Sequence, residues 1–194
     1  MEILDVYNLN KERTKRKVTR DGVFDMIDEN ERILLVHTCI FNSENKMLIQ
    51  QRQMTKDRYP GCWDVSAGGF VVSGENSIDA AKRETAEELG LEIEPECFEL
   101  VCCEPFGKVF DDFYNVYTDV TLSEAHLQAE EIMAVSWASI EEVRQLLNSG
   151  RFVDYSEELI KRVFDAAETR NSGGNKIDSK LDTQQTAPVS EIGI

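Results

Sequence analysis

Residues 69–91 limit what this chain can fold into more than any other stretch. Gly69-Phe70-Val71-Val72-Ser73-Gly74-Glu75 leads into Asn76 through Leu91. Ser77 suits an N-cap and Gly90 the position just past a last turn, so the spacing predicts a helix of about three turns between them. At about 100° per residue, Ile78, Ala81, Thr85 and Leu89 share an inward face, whereas Glu84, Glu87 and Glu88 project together from another. That clustering is locally unfavourable. The pairs 84/87 and 84/88 are like-charge neighbours costing roughly 0.2–0.5 kcal/mol each, and Glu87 and Glu88 also sit at the negative end of the helix dipole. A chain breaks local preference in this way where function demands it, and the natural compensator for converging carboxylates is a hard divalent cation.

The spacing carries a second signal. Gly69, five residues, Glu75, seven residues, then Arg83-Glu84-Thr85-Ala86-Glu87-Glu88-Leu89-Gly90-Leu91 resembles the Nudix box, in which G, five residues, E and seven residues precede R-E-U-x-E-E-x-G-U, U being bulky and aliphatic. Every charged and glycine position matches. Only Thr85 departs from the pattern, and its methyl group still suits a core-facing position. The resemblance implies an α/β fold, a Nudix-like α/β/α sandwich around a mixed β-sheet. It also implies hydrolysis of a diphosphate-linked metabolite, a nucleotide or related compound, by water activated on Mg2+ or Mn2+.

Taken with that resemblance, the residues fall into roles. Glu84, Glu87 and Glu88 are the expected side-chain metal ligands, with the Gly68 carbonyl added by similarity to the family. Arg83, at i,i+4 to Glu87, can hold that carboxylate or reach phosphate, and Glu75 is the expected orienting partner of Arg83. Gly69 allows close approach of backbone to ligand. The general base is expected among the box glutamates, Glu87 or Glu84, with the loop pair Glu130-Glu131 as the alternative.

A closer resemblance runs from about Tyr7 to Ser139. His37 to Asn42, Gln51-Arg52, Lys56, Pro60-Gly61-Cys62-Trp63 and Trp137 are similar to the Nudix branch that includes isopentenyl-diphosphate isomerase. There, residues matching Arg52, Lys56 and Arg83 hold the diphosphate, and a residue matching His37 is a metal ligand. On the residues alone, a lone histidine in an apolar strand is expected to be a hydrogen-bonded core residue. This chain has Gly68 where the isomerase has its catalytic cysteine and Phe70 where a histidine is expected, yet it keeps the full glutamate set. Hydrolysis is therefore the leading expectation. Isomerisation of isopentenyl type and non-catalytic sensing of a phosphorylated metabolite are the alternatives.

With 194 residues, 41% of them hydrophobic, the chain can bury one core and needs no second domain. The expected domain spans residues 1–170, with an N-terminal hairpin region at 1–30 and C-terminal helices within 139–168; residues 171–194, rich in Ser, Gly, Asn, Gln and Thr, read as a disordered tail. A net charge of −16 argues against nucleic acid as a stable partner. No apolar run reaches membrane-spanning length, Met1-Glu2-Ile3-Leu4-Asp5 has neither the basic start nor the apolar centre expected of a secretory signal, and the five cysteines lack zinc-ligand spacing. They read as reduced and mostly buried, in a cytoplasmic protein. Basic residues gather within the first twenty positions, where they suit either a solvated hairpin or an arm for an anionic substrate.

Along the chain, Leu4–Tyr7 and Lys17–Arg20 predict an opening hairpin, and Ile33–Phe41 with Lys46–Arg52 a central antiparallel pair. Trp63–Ala67, Phe98–Cys103, Val109–Phe113, Asn115–Leu122 and Met133–Ala138 read as further strands, with Ser123–Glu131 an acidic loop. Ser139-Ile140-Glu141-Glu142 is a capping box opening a helix through Leu147, and a last helix covers about Ser156–Glu168.

Overall fold

The computed structural model describes residues 2–119 and 125–172. The chain opens on a hairpin of β1 (Ile3–Asn8) and β2 (Arg13–Thr19), as the sequence predicts, followed by a four-residue helix, α1 (Val23–Met26), that the pattern did not announce. Then come β3 (Glu31–Phe41), β4 (Met47–Arg52), β5 (Trp63–Asp64), β6 (Ala67–Phe70) and α2 (Ser77–Leu89). A 3-10 turn at Pro95–Cys97 precedes β7 (Glu99–Phe106), β8 (Val109–Tyr117), β9 (Ile132–Ala138), α3 (Ile140–Asn148) and α4 (Glu157–Ser172). The nine strands make a mixed sheet with helices packed against it, an α/β architecture.

β3 is the axis. It runs parallel to β8 from Ile33–Val109 to Phe41–Tyr117, while its other edge meets β6 at Leu35–Thr38 and β4 only at Ile40 and Phe41. The expected β3–β4 pair is thus confined to one end, because β6 occupies the middle of that edge. β4 diverges to pair along its length with β9 and to take β5 beside it. β8 continues through Tyr114 where the sequence suggests two strands, since β3 offers it an unbroken partner; it ends at Tyr117, Thr118 and Asp119 are not in a strand, and residues 120–122 of the second predicted strand lie outside the described residues.

Apolar alternation builds the core on both sides of this sheet. One cluster joins Val36, Ile40, Leu48 and Ala67 to Ala80, Ala81 and Leu89 of α2; another joins Cys39, Phe41, Met47 and Phe113 to Val143, Ile160, Val163 and Phe164 of α3 and α4. α3 opens on the predicted capping box, Ser139 and Glu142 bonding reciprocally. α4 extends to Ser172, through the first two residues of the predicted tail; the tail from residue 173 lies outside the described residues. Among the described residues no helix is long and apolar enough to cross a membrane. All five cysteines are free, but Cys39 alone is buried, Cys97 being exposed and the other three half-buried, which corrects the expectation of mostly buried thiols. Cys62 lies just before β5, and Cys102 and Cys103 lie in β7, which pairs with β8.

Candidate active site

Two corrections to the predicted helix matter for the site. The N-cap is Asn76, whose side chain accepts the Asp79 N–H at 2.9 Å, because Ser77 is drawn away to donate to Asp112 Oδ2 at 2.6 Å. The three glutamates also do not share one environment. On an ideal helix Glu84 and Glu88 lie about 40° apart, whereas Glu87 is about 100° from Glu88. Glu88 is 8% exposed and Glu84 is half-buried, while Glu87 stands mostly in solvent. Gly90 closes α2 in the left-handed conformation, as predicted. Thr85 is fully buried, and its hydroxyl donates to the Ala81 carbonyl at 2.7 Å, so the one departure from the box costs the core nothing unsatisfied.

The turn before α2 is held from the N-terminal hairpin. Ser73 Oγ and Gly74 N–H donate to the two oxygens of buried Asp5, at 2.8 and 3.0 Å, and Ser73 N–H donates to the Ile3 carbonyl. Arg13 reaches the main-chain carbonyl of Glu75, and Arg20 lies over the Phe70 ring at 5.0 Å. Most of the basic arm is neutralised within the fold: Lys11 pairs with Asp112, Arg13 and Lys17 with Asp5, Arg16 with Glu31, and Arg20 with Glu2.

Arg83 organises the box. Its Nε and one terminal nitrogen grip both oxygens of Glu75 at 2.8 and 3.0 Å, the second N–H of that nitrogen reaches the Phe70 carbonyl at 3.0 Å, and the other terminal nitrogen donates to Glu84 at 2.8 Å and Glu87 at 3.1 Å. All five N–H donors of a guanidinium are thereby engaged within the protein. Of the two roles open to Arg83 in the sequence, these contacts are the positioning one.

Glu88 has no cationic partner among the described residues. Its Oε2 accepts from Gln50 Nε2 at 2.9 Å and from the Gly68 N–H at 3.2 Å. Burial, reinforced by the nearby charge of Glu84, pushes the Glu88 carboxyl up to about 8 against those two hydrogen bonds. Burial likewise raises Glu84, with the adjacent Arg83 charge opposing it. Gly69 is required for Glu84 to sit there, because a side chain at that position would run into its carboxylate.

These groups line a cavity of about 1030 Å³ that also takes in Gly68, Gly69, His37, Arg52, Lys56 and Glu131. Arg52 bonds Asp64 Oδ2 at 3.0 Å and the Arg58 carbonyl at 3.1 and 3.2 Å, and Lys56 pairs with Glu131. Glu130 is exposed. His37 is hydrogen-bonded, as a histidine in an apolar strand should be, between Asp111 at 3.2 Å and Tyr155 at 3.3 Å, and it stacks on Phe113. Sequence reasoning missed Gln50, which bonds Glu88, and Asp64, Asp111 and Tyr155, which line the cavity; none of the four carries a motif.

Among the described residues no three acidic, histidine or cysteine side chains already converge as a metal cluster. The donor set nevertheless fits a hard divalent cation. Glu84 and Glu88 would offer such a cation carboxylate oxygens, and Glu88, a buried carboxyl met by neutral donors alone, would gain from it the charge partner it lacks.

Comparison with known proteins agrees with the box and the sheet. The NUDIX domain family model matches residues 31–162. An uncharacterized Nudix hydrolase of Listeria innocua is 38% identical over 155 residues, spanning 80% of this chain and 90% of that protein. An isopentenyl-diphosphate delta-isomerase of Citrobacter koseri is 28% identical over 139 residues, spanning 66% of this chain and 76% of the isomerase. The crystal structure of a Deinococcus radiodurans protein superposes with a TM-score of 0.68 at 25% identity, covering 84% of this chain and 99% of that one. With the family model spanning most of the chain and the box geometry built around Arg83, this protein belongs to the Nudix family.

Proposed function

We propose that this chain hydrolyses the diphosphate bond of a small molecule, a nucleotide or other diphosphate-linked metabolite, with Mg2+ or Mn2+ held by Glu84 and Glu88. The observation that carries this reading is the buried, cation-free carboxylate of Glu88 facing Glu84 at the floor of a cavity large enough for a nucleotide-sized ligand. A divalent cation bound there supplies charge neutralisation at phosphate and a more acidic water. The protein's own residues do the rest. Glu75 and Arg83 fix Glu84 and Glu87, Gly68 and Gln50 orient Glu88, and Arg52 and Lys56, which line the same cavity, are the basic groups offered to the diphosphate. In this reading Glu87, solvent-facing but tethered to Arg83, serves as the proton acceptor.

The isomerase alternative meets a steric objection as well as a chemical one. Gly68 provides no thiol, and a Cβ there would stand 2.8 Å from the Val36 carbonyl and 2.9 Å from His37 Nδ1. Five free thiols favour a reducing, cytosolic setting. The reading is tested by incubating purified protein and Mg2+ with a panel of nucleoside and non-nucleoside diphosphates and identifying both products by mass. Release of phosphate or monophosphate that is lost in Glu88→Gln supports it, and a folded protein that cleaves nothing on the panel refutes it.

A further inference from the structure

Tyr155 belongs to neither the box nor any motif, yet it lines the cavity, half-buried. It is delivered there by the segment between α3 and α4, which runs beside β5. Trp63 N–H donates to the Arg151 carbonyl, Val153 N–H donates to the Trp63 carbonyl, each at 2.8 Å, and Trp63 and Phe152 form a parallel bridge. That pairing brings the Tyr155 hydroxyl to Asp64, the residue after Trp63, where it donates to Oδ1 at 2.8 Å. The ring is wedged edge-on against His37 and Phe113, with centroids 5.7 Å away in both cases.

The bonds at Asp64 form a chain that ends on Arg52. Oδ1 accepts from Tyr155 and from the Val65 N–H, and Oδ2 accepts from Arg52 Nη1 at 3.0 Å. Arg52 gives its Nε–H and one Nη2–H to the Arg58 carbonyl. Of five guanidinium donors, two remain among the described residues, one on each terminal nitrogen, the arrangement that suits two-point contact with a phosphate group. A long, otherwise mobile arginine is thus fixed at both edges. Burial and the neighbouring acids hold the Tyr155 hydroxyl well above its usual range, so it stays a donor to Asp64.

We propose that Tyr155 is a positioning residue for diphosphate binding, acting through Asp64 to aim the two free N–H groups of Arg52 into the cavity. This rests on the reading of the cavity as a diphosphate site, and deepens it by extending the site to the C-terminal segment.

The test is a double-mutant cycle read by calorimetric binding of methylenediphosphonate in Mg2+, which separates binding from turnover. Tyr155→Phe removes only the hydroxyl and is expected to weaken binding roughly tenfold, but less than twofold when introduced into Arg52→Lys. Asp64→Glu, which keeps the charge and displaces the carboxylate by one methylene, is expected to reproduce the loss. Tyr117→Phe, which removes a buried hydroxyl bonded to Asn115 away from the cavity, is the control and is expected to bind within twofold of wild type. Equal losses from Tyr155→Phe in both backgrounds, wild-type binding by Tyr155→Phe or Asp64→Glu, an equal loss in Tyr117→Phe, or a wild type that fails to bind the diphosphonate would each overturn the proposal. A wild type that binds it but cleaves no diphosphate sinks the hydrolase reading and leaves this one standing.

Discussion

Arg83 and Glu75 are joined by two parallel hydrogen bonds of 2.8 and 3.0 Å, across eight positions of sequence that include the Asn76 cap and the first half of α2. The pair locks the entry of the helix to its glutamate-bearing face, and the remaining three donors of Arg83 spread that order to Phe70, Glu84 and Glu87. Arg83→Lys keeps the charge but has three donors for five contacts. It is expected to lower kcat/KM by roughly 10–100-fold, the usual effect of losing a group that orients metal ligands. Thermal unfolding should fall by about 3–9 °C, corresponding to about 1–3 kcal/mol for partly buried carboxylates left without partners.

The adjacent glycines make opposite predictions for stability and activity. A methyl group at Gly68 meets main chain, the Val36 carbonyl at 2.8 Å, which cannot swing aside. Gly68→Ala is therefore expected to cost about 1–3 kcal/mol in urea unfolding. At Gly69 the obstacle is the free end of the Glu84 side chain, which can move. Gly69→Ala should change stability by less than about 1 kcal/mol while cutting turnover roughly 10–100-fold, because the displaced carboxylate is the one assigned to the cation.

Glu88 gives the protein a pH dependence of definite sign. Its carboxyl is raised from an ordinary 4.5 to about 8, first by burial and then by the charge of Glu84. The folded chain therefore retains a proton that the unfolded chain has already released, so this group's contribution is full below about 4.5 and is lost as pH rises to about 8. In chelator, unfolding free energy should fall across that window by an amount on the order of a few kcal/mol relative to Glu88→Gln, in which the slope is largely removed. Mg2+ affinity should run the other way, strengthening up to about tenfold per pH unit below pH 8, as binding expels one proton. Titrations of wild type and Glu88→Gln at half-unit intervals measure both slopes.

The box was legible because its signals are local. Gly90, the Glu75–Arg83 spacing and the buried face through Ala81, Thr85 and Leu89 lie within one helix and its turn, where period and cap chemistry suffice. Two local readings still failed for tertiary reasons. Asp112 claims the hydroxyl of Ser77 and moves the cap to Asn76, and the packing of α2 against β3 and β6 sends Glu88 inward while Glu87 faces out. The rest of the cavity was beyond pattern reading. Tyr155 meets Asp64 across 91 positions and His37 across 118, contacts fixed by the bridge between Trp63 and Phe152 and carried by residue types that are ordinary in any loop. The β3–β4 pair forms antiparallel as expected but only at Ile40 and Phe41, since nothing in Ile33–Phe41 shows that β6 takes the middle of that edge.

The claim on which the chemistry depends is that Glu84 and Glu88 together hold a divalent cation. Anomalous diffraction from crystals soaked in Mn2+ with methylenediphosphonate tests it most directly. The account predicts a peak within direct coordination distance of both carboxylates, with the diphosphonate lying between it and Arg52. No peak there, with Glu88 still closed onto Gln50 and the Gly68 amide, would contradict it.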